Sequence, residues 1–323
     1  MKNWQKHLGL LIPLLVIVGI VVGVRLTDKP ATREMFFTVL KAIALASSLN
    51  IILGYTGYVS FAHIVFFGIG GYVGFYFMSV HGWSLWLAML MGGLAAGVLA
   101  FLLGRAILHL RGAYFALATI GVNAAVQAFI TNFKPFGGPI GMTLNFKIYQ
   151  QYGGAAQALE MSFYVLAALT LGVVVLSYAI RMSKFGLGLL AIREDEDAAE
   201  VMGVIAPNAK TWAYVFSAIF PGIIGTLFFF KNGNIEPHDA FPLASSIEMI
   251  VMVMLGGQGT VLGPILGATV YQRMRGSLLT STIFKNIQLS VAGALLLLIV
   301  LFVPAGAIGW LRYRFPVLRR VLQ

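Results

Sequence analysis

Ile192-Arg193-Glu194-Asp195-Glu196-Asp197-Ala198-Ala199-Glu200-Val201-Met202-Gly203 is the stretch from which the layout of this chain is read. It carries five of the eleven acidic residues of a 323-residue chain that is 59% hydrophobic and only 10% charged, with a mean hydropathy of +0.89. An island this polar between long apolar runs has to sit in water, where it can meet a soluble partner. Its own pattern is that of a short helix. The acidic residues crowd the first turn, where the positive end of the helix dipole favours them. Ala199 and Gly203, four residues apart, share one face. Pro207 is expected to stop the helix, since an internal proline removes a backbone hydrogen bond and clashes with the preceding turn. A small alanine–glycine face on a short water-exposed helix suits insertion into a cleft on another protein.

Outside the island the composition is that of a polytopic membrane protein. A span takes about 20 apolar residues, which leaves room for roughly eight to ten. Backbone polar groups in lipid must be satisfied locally, so the expected fold class is all-α. Cysteine is absent, which excludes disulfides and thiolate metal sites. The net charge of +11 does not indicate nucleic-acid binding, because Lys and Arg are scattered at span ends, where they snorkel to headgroups, rather than gathered in a stripe. Lys2 and Lys6 followed by apolar Leu8 to Val24 look like a signal sequence without a small-x-small cleavage site, so an uncleaved first span is expected.

Apolar runs place spans near 8–25, 35–54, 58–79, 84–104, 112–131, 161–181, 211–230, 243–256, 260–272 and 287–304. The expected organisation is one transmembrane domain over 1–323. It comprises an extra N-terminal span (8–25), a first half (35–180), a cytoplasmic loop (181–210), a second half (211–304) and a basic tail (305–323) with Arg312, Arg314, Arg319 and Arg320. Starting inside, this order puts 181–210 and both termini in the cytoplasm, and the Lys and Arg bias has the matching sign but is modest. Trp83, Trp86 and Trp310 fit an aromatic belt at span ends.

Two segments share the pattern Leu-Gly-x-x-Gly-x-Val, Leu53 to Val59 and Leu255 to Val261, and each follows an apolar run. Glycine within a helix costs about 1 kcal/mol relative to alanine. Breaks at Gly54 and Gly57 and at Gly256, Gly257 and Gly259 therefore point to two related halves with interrupted helices near a translocation path, or to close packing of helices through small residues. The rare polar groups beside the first break are Asn50, Thr56, Ser60 and His63, and beside the second Gln258 and Thr260. They are candidates for a substrate path, each being equally explicable as a polar contact between helices. The loop from Asn132 to Gln157, with Lys134 and Lys147, is a linker or a seat for a soluble partner.

Catalytic patterns are missing. No Gly-x-x-x-x-Gly-Lys-Ser/Thr phosphate loop, His-Glu-x-x-His pair or Gly-x-Ser-x-Gly elbow occurs, so the chain is expected to be no enzyme, with no cofactor and no metal. Four consecutive carboxylates, Glu194 to Asp197, point in different directions on a helix and read as a solvated helix start. Of the ionisable residues inside spans (Lys41, His63, Glu248 and His109 near an end), Glu248 alone offers a carboxylate for ion coupling. It is otherwise read as a span-end residue reaching the headgroups.

Asp197-Ala198-Ala199-x-x-x-Gly203 resembles the Glu-Ala-Ala-x-x-x-Gly coupling loop of ABC importer permeases. Four stretches in order resemble branched-chain amino acid permeases of the LivM type: Leu49 to His63, Arg111 to Thr119, Ala191 to Ala199 and Gly256 to Pro264. Tyr58 departs from the family, which commonly has Gln there. The resemblance implies a permease of a bacterial inner membrane that moves leucine, isoleucine or valine by alternating access. It implies a second permease subunit as heterodimer partner, two cytoplasmic ATP-binding subunits and a periplasmic substrate-binding protein, besides membrane lipid and without nucleic acid. Contact with the ATPases then falls to Arg193, Glu194, Asp195, Asp197, Ala198, Ala199 and Gly203. A urea or short-chain amide permease of the same family is the alternative, and an ion-coupled secondary carrier is the alternative of another class.

Overall fold

Long apolar runs become helices here because a helix alone satisfies its own backbone within one segment in lipid, and the computed structural model is almost wholly helical. It describes residues 4–27 and 29–279, with isolated residues near 290–297 and at 306–309. The expected span at 287–304 and the arginines of the tail lie, apart from those isolated residues, outside the described residues. The long helices are α1 (Trp4–Thr27), α2 (Pro30–Thr56), α3 (His63–His81), α4 (Leu85–Ile107) and α5 (Ala113–Asn132). After a short α6 (Lys147–Gln150) come α7 (Ala155–Met182), α8 (Lys184–Glu194), α9 (Glu196–Val201), α10 (Ala206–Asn232), a short α11 (Pro237–Ala240), α12 (Leu243–Gly256) and α13 (Leu262–Leu279). Seven helical segments among the described residues are long and apolar enough to cross a membrane, α11 and α12 counting as one. The chain is a multi-pass membrane protein.

The connections alternate between two ends of the bundle. At one end lie residues 57–62, 108–112, 183–205 and 257–261. At the other lie 82–84, 133–154 and 233–242, where β1 (Met142–Thr143) and β2 (Asn234–Ile235) pair antiparallel, Met142 opposite Ile235. That second end is held by more than the strands. The Tyr149 hydroxyl donates to the Phe230 carbonyl at 2.6 Å, and the Leu85 amide donates to the Tyr152 hydroxyl at 2.7 Å. The loop from Asn132 is thus a folded cap with Lys134 and Lys147 exposed on it.

Helix α10 is the centre of the bundle, packed on α4, α3 and α2. Small residues let the backbones touch, as expected where lipid supplies no hydrophobic drive between helices. A side chain on Gly222 would meet Ala96 Cβ and the Gly92 carbonyl, and the Thr226 hydroxyl donates to the Gly70 carbonyl at 2.8 Å. Gly222→Leu is therefore expected to lower the melting temperature of the solubilised protein, since overpacking costs about 1–3 kcal/mol. Gly121→Leu, at an exposed position where an added Cβ meets nothing within 4 Å, is the control and should leave it unchanged. Equal melting of the two variants would refute this account of the centre. On the outside of α4, Trp86, Leu90, Leu94, Val98 and Leu102 are exposed at helical spacing, an apolar stripe turned away from the bundle.

Three local expectations change. Helix α2 runs through Gly54 and ends at Thr56, so the first break is at Gly57, whose φ of 79° is the left-handed cap that glycine adopts without strain. Gly54 is a point of close approach instead, where a side chain would strike Asn50 and the backbone of Gly259. Pro207 does not stop the island's helix; it sits in the first turn of α10, where a proline has no amide to waste. The island is also split, since Asp195 is extended and its carboxylate caps α9 by accepting from the Ala198 amide at 3.0 Å.

Candidate functional site

At the first of these ends the two glycine connections meet each other and the polar island. Asn50, fully buried in α2, clips the second connection. Its amide donates to the Thr260 carbonyl and its carbonyl accepts from the Gly259 amide, each at 3.0 Å. Two arginines close the junction from the island's side. Arg193, in the last turn of α8, donates to the Gly54 carbonyl at 2.8 Å, and Arg181, in the last turn of α7, donates to the Gly259 carbonyl. Gly259, with a φ of 75°, leaves the room that Arg193 occupies.

Glu196 ties α9 into the bundle. Its carboxylate receives Lys210 Nζ at 2.6 Å and the Tyr58 hydroxyl at 2.8 Å, with Arg111 at 3.7 Å. Lys210 is 2% exposed and spends all three ammonium protons, on Glu196, on Tyr58 at 2.9 Å and on the Leu108 carbonyl at 2.8 Å. Burial and the neighbouring Glu196 push the Tyr58 phenol up from its ordinary value, so it stays a donor at neutral pH. Tyr58 directly follows the Gly57 break and packs edge-on against Phe115, so a single carboxylate on the island grips the α2–α3 connection, α10 and the α4–α5 turn. Asp197 adds an outer contact, a two-pronged pair with Arg111 at 2.7 and 3.2 Å. The guanidinium holds the Asp197 carboxyl below the usual carboxylate range, though this pair is solvent-exposed and contributes little to stability. Beneath the clasp is a recess of about 390 Å³ lined by Thr56, Tyr58, Arg111, Ile192, Arg193 and Glu196.

The residues singled out in the island therefore divide by role. Arg193 holds a glycine connection, Asp195 is a cap, Asp197 pairs with Arg111, and Glu194 and Ala198 are exposed. Ala199 is 1% exposed and packs inside this chain, so the expected alanine–glycine face for a partner does not form. Gly203 is exposed with a φ of 93°. Beside it an apolar group is presented to water, Val201 (89% exposed), Met202 (75%) and Ile205, next to exposed Asp197 and Glu200. Glu196, Lys210 and Tyr58 were absent from the sequence candidates. The signals for them were the departure from the family pattern at Tyr58 and a lysine at the head of an apolar span, fourteen residues after a glutamate.

The six candidates for a substrate path all lie at or near this junction, and most have their polar groups committed. Thr56 donates back to the Ile52 carbonyl at 2.6 Å, Ser60 meets the Tyr214 hydroxyl at 3.1 Å, and His63 Nε2 meets Ser48 at 3.1 Å. Thr260 bonds the Gly257 carbonyl and the Gly263 amide, both at 2.9 Å, and Gln258 is half-buried. Among the described residues no cluster of His, Cys, Asp or Glu could hold a metal ion.

Comparison with known proteins gives one consistent result. Residues 33–300 match the family model for the branched-chain amino acid transport system permease component. The chain is 29% identical to the high-affinity branched-chain amino acid transport system permease protein LivM of Salmonella typhimurium, over 87% of this chain and 70% of that protein. It is likewise 29% identical to LivM of Escherichia coli K12, over 84% and 68%. Identity to the permease protein LivH of Salmonella typhimurium is 23%, over 82% and 90%. No solved structure matches the chain.

Proposed function

The chain belongs to the family of branched-chain amino acid transport permease components, and from that membership we propose that it is one membrane-spanning subunit of an ATP-driven importer of leucine, isoleucine or valine. Its partners in this reading are a second, related permease subunit, two cytoplasmic ATP-binding subunits and an extracytoplasmic binding protein. The membrane is the inner membrane of a bacterium, with 183–205 and both termini on the cytoplasmic side. The folded cap at 133–154, with Lys134, Lys147 and exposed Ile140 and Phe146, faces the binding protein.

One observation carries the reading: the carboxylate of Glu196, on a short helix with an apolar water-facing tip, is bonded to Tyr58 at the α2–α3 break and to Lys210 at the head of α10. ATP-driven closure of the partner subunits moves the tip at Val201 and Met202. The clasp passes that movement to the first glycine connection, and Arg193 and Asn50 pass it to the second. Both connections then shift together, which is what opening one end of a path while closing the other requires. Asn50, Thr56, Ser60, His63, Gln258 and Thr260 serve this junction, at the cytoplasmic mouth of the path.

Reconstitution tests the class of transporter. The chain alone in liposomes is expected to accumulate no amino acid under a proton or sodium gradient. With its permease partner, both ATP-binding subunits and the binding protein, it should accumulate L-leucine and hydrolyse ATP. Gradient-driven accumulation by the chain alone would replace this reading with an ion-coupled carrier.

A further inference from the structure

Charged side chains also gather inside the membrane region, well away from the clasp. A cavity of about 110 Å³ lies among α2, α3, α10, α12 and α13 toward the other end of the bundle, lined by Lys41, Glu248, Arg275 and Asp239. Lys41 stands deep in its span: α2 begins at residue 30, so at 1.5 Å per residue it lies about 16 Å along the helix. Ionisable groups at such depth are costly and mark binding sites or pathways when they face an internal cavity.

Their partnering is incomplete. Arg275 Nη1 binds Glu248 at 2.9 Å, but Arg275 Nε has no hydrogen-bond partner among the described residues. The Lys41 ammonium makes no hydrogen bond among the described residues and rests 4.0 Å from the centroid of the Phe228 ring. Glu248 does not reach the headgroups as the sequence suggested; its side chain is mostly buried and turned onto Arg275. Asp239 stands at the mouth, largely exposed. The remaining wall is apolar, with Leu45, Phe67 and Met252.

We propose that this cavity is a binding station for a zwitterionic α-amino acid with an aliphatic side chain, a substrate-class assignment that rests on the importer reading above. The four lining charges sum to zero, so a neutral zwitterion enters without adding net charge. Its carboxylate meets the free Lys41 ammonium and Arg275 Nε, its ammonium meets Glu248 and Asp239, and its side chain lies against Leu45, Phe67 and Met252. The cavity is below the roughly 300–1,000 Å³ of sites for drug-sized ligands, in keeping with a single small solute. Urea has no carboxylate and would leave Lys41 without an anionic partner.

The chain has no cysteine, so Ser245→Cys on the cavity wall gives this subunit a single thiol. In the complete transporter in vesicles, L-leucine is expected to slow labelling of that thiol by a methanethiosulfonate reagent several-fold, and urea to leave it unchanged. Adding Lys41→Met should remove the protection and lower L-leucine uptake about tenfold, the order expected for one charge-assisted hydrogen bond. Lys41→Arg should retain both. The labelling comparison needs no change of charge, so it decides the matter even if Lys41→Met fails to assemble. Import of L-leucine by the unsubstituted complex with no protection by L-leucine would overturn the station and leave the importer reading standing. ATP-driven import of urea but of no amino acid would overturn both.

Discussion

Val201→Asp combined with Met202→Glu is expected to abolish uptake by the assembled transporter while the permease still inserts and folds. Both side chains stand in water in this chain, at 89% and 75% exposed, and neither supports its core. Together with Ile205 they form an apolar tip beside the acidic run Glu194 to Asp197, and on the proposed reading this tip seats in a cleft of an ATP-binding subunit. Seating a carboxylate there without a counter-charge costs well above the ~1.4 kcal/mol that corresponds to a tenfold loss of binding. The readouts are co-purification of the ATP-binding subunits and accumulation of L-leucine, both of which should fall below a tenth. Full uptake by the double variant would remove α9 from the coupling path. Ala199→Trp is not an equivalent test, because Ala199 is enclosed by its own chain and the change would unseat α9 directly.

Lys210→Met is expected to be nearly as severe, for a different reason. The substitution keeps an unbranched side chain one atom shorter but leaves Glu196, 13% exposed, against Tyr58 without its cation. Breaking a buried pair from one side costs about 3–5 kcal/mol. Arg111 at 3.7 Å compensates part of that, which places the expected loss toward the lower end. Thermal unfolding of the solubilised protein should record the loss, and uptake should fall with it. Adding Glu196→Gln to Lys210→Met removes the stranded charge and should return most of the stability, yet uptake should remain low because α9 no longer grips the Gly57 break through charge. Recovery of uptake together with stability would make the pair a structural brace and not a transmitting contact.

The sequence candidates and the structure differ most around these residues. The island was legible, because a run of carboxylates between apolar spans has one physical reading. The break at Gly57 and the cluster at Gly257 and Gly259 were legible as well, because a Leu-Gly-x-x-Gly-x-Val segment leaves a helix little support. Glu196 was not distinguishable from Glu194, Asp195 or Asp197 beside it. In sequence all four read as carboxylates at one helix start, and only the turn at Asp195, which ends α8 at Glu194 and begins α9, aims Glu196 inward at Lys210. Tyr58 departs from the family pattern, and its hydroxyl donates to the Glu196 carboxylate at 2.8 Å.

What the sequence determined by itself is everything governed by local free energy. Transfer of about 20 apolar residues into lipid places a span whatever its neighbours are, a glycine with a left-handed φ ends a helix where it stands, and a cluster of charge stays in water. The tertiary structure alone decided which polar groups face one another. Glu196 meets Tyr58 across 138 residues, Arg193 meets Gly54 across 139, and Asn50 meets Gly259 across 209. The same holds for the burial of Ala199 and the inward turn of Glu248 onto Arg275. Such pairings depend on helix rotation and on how closely small residues let backbones approach, and neither quantity is set within any one segment of the chain.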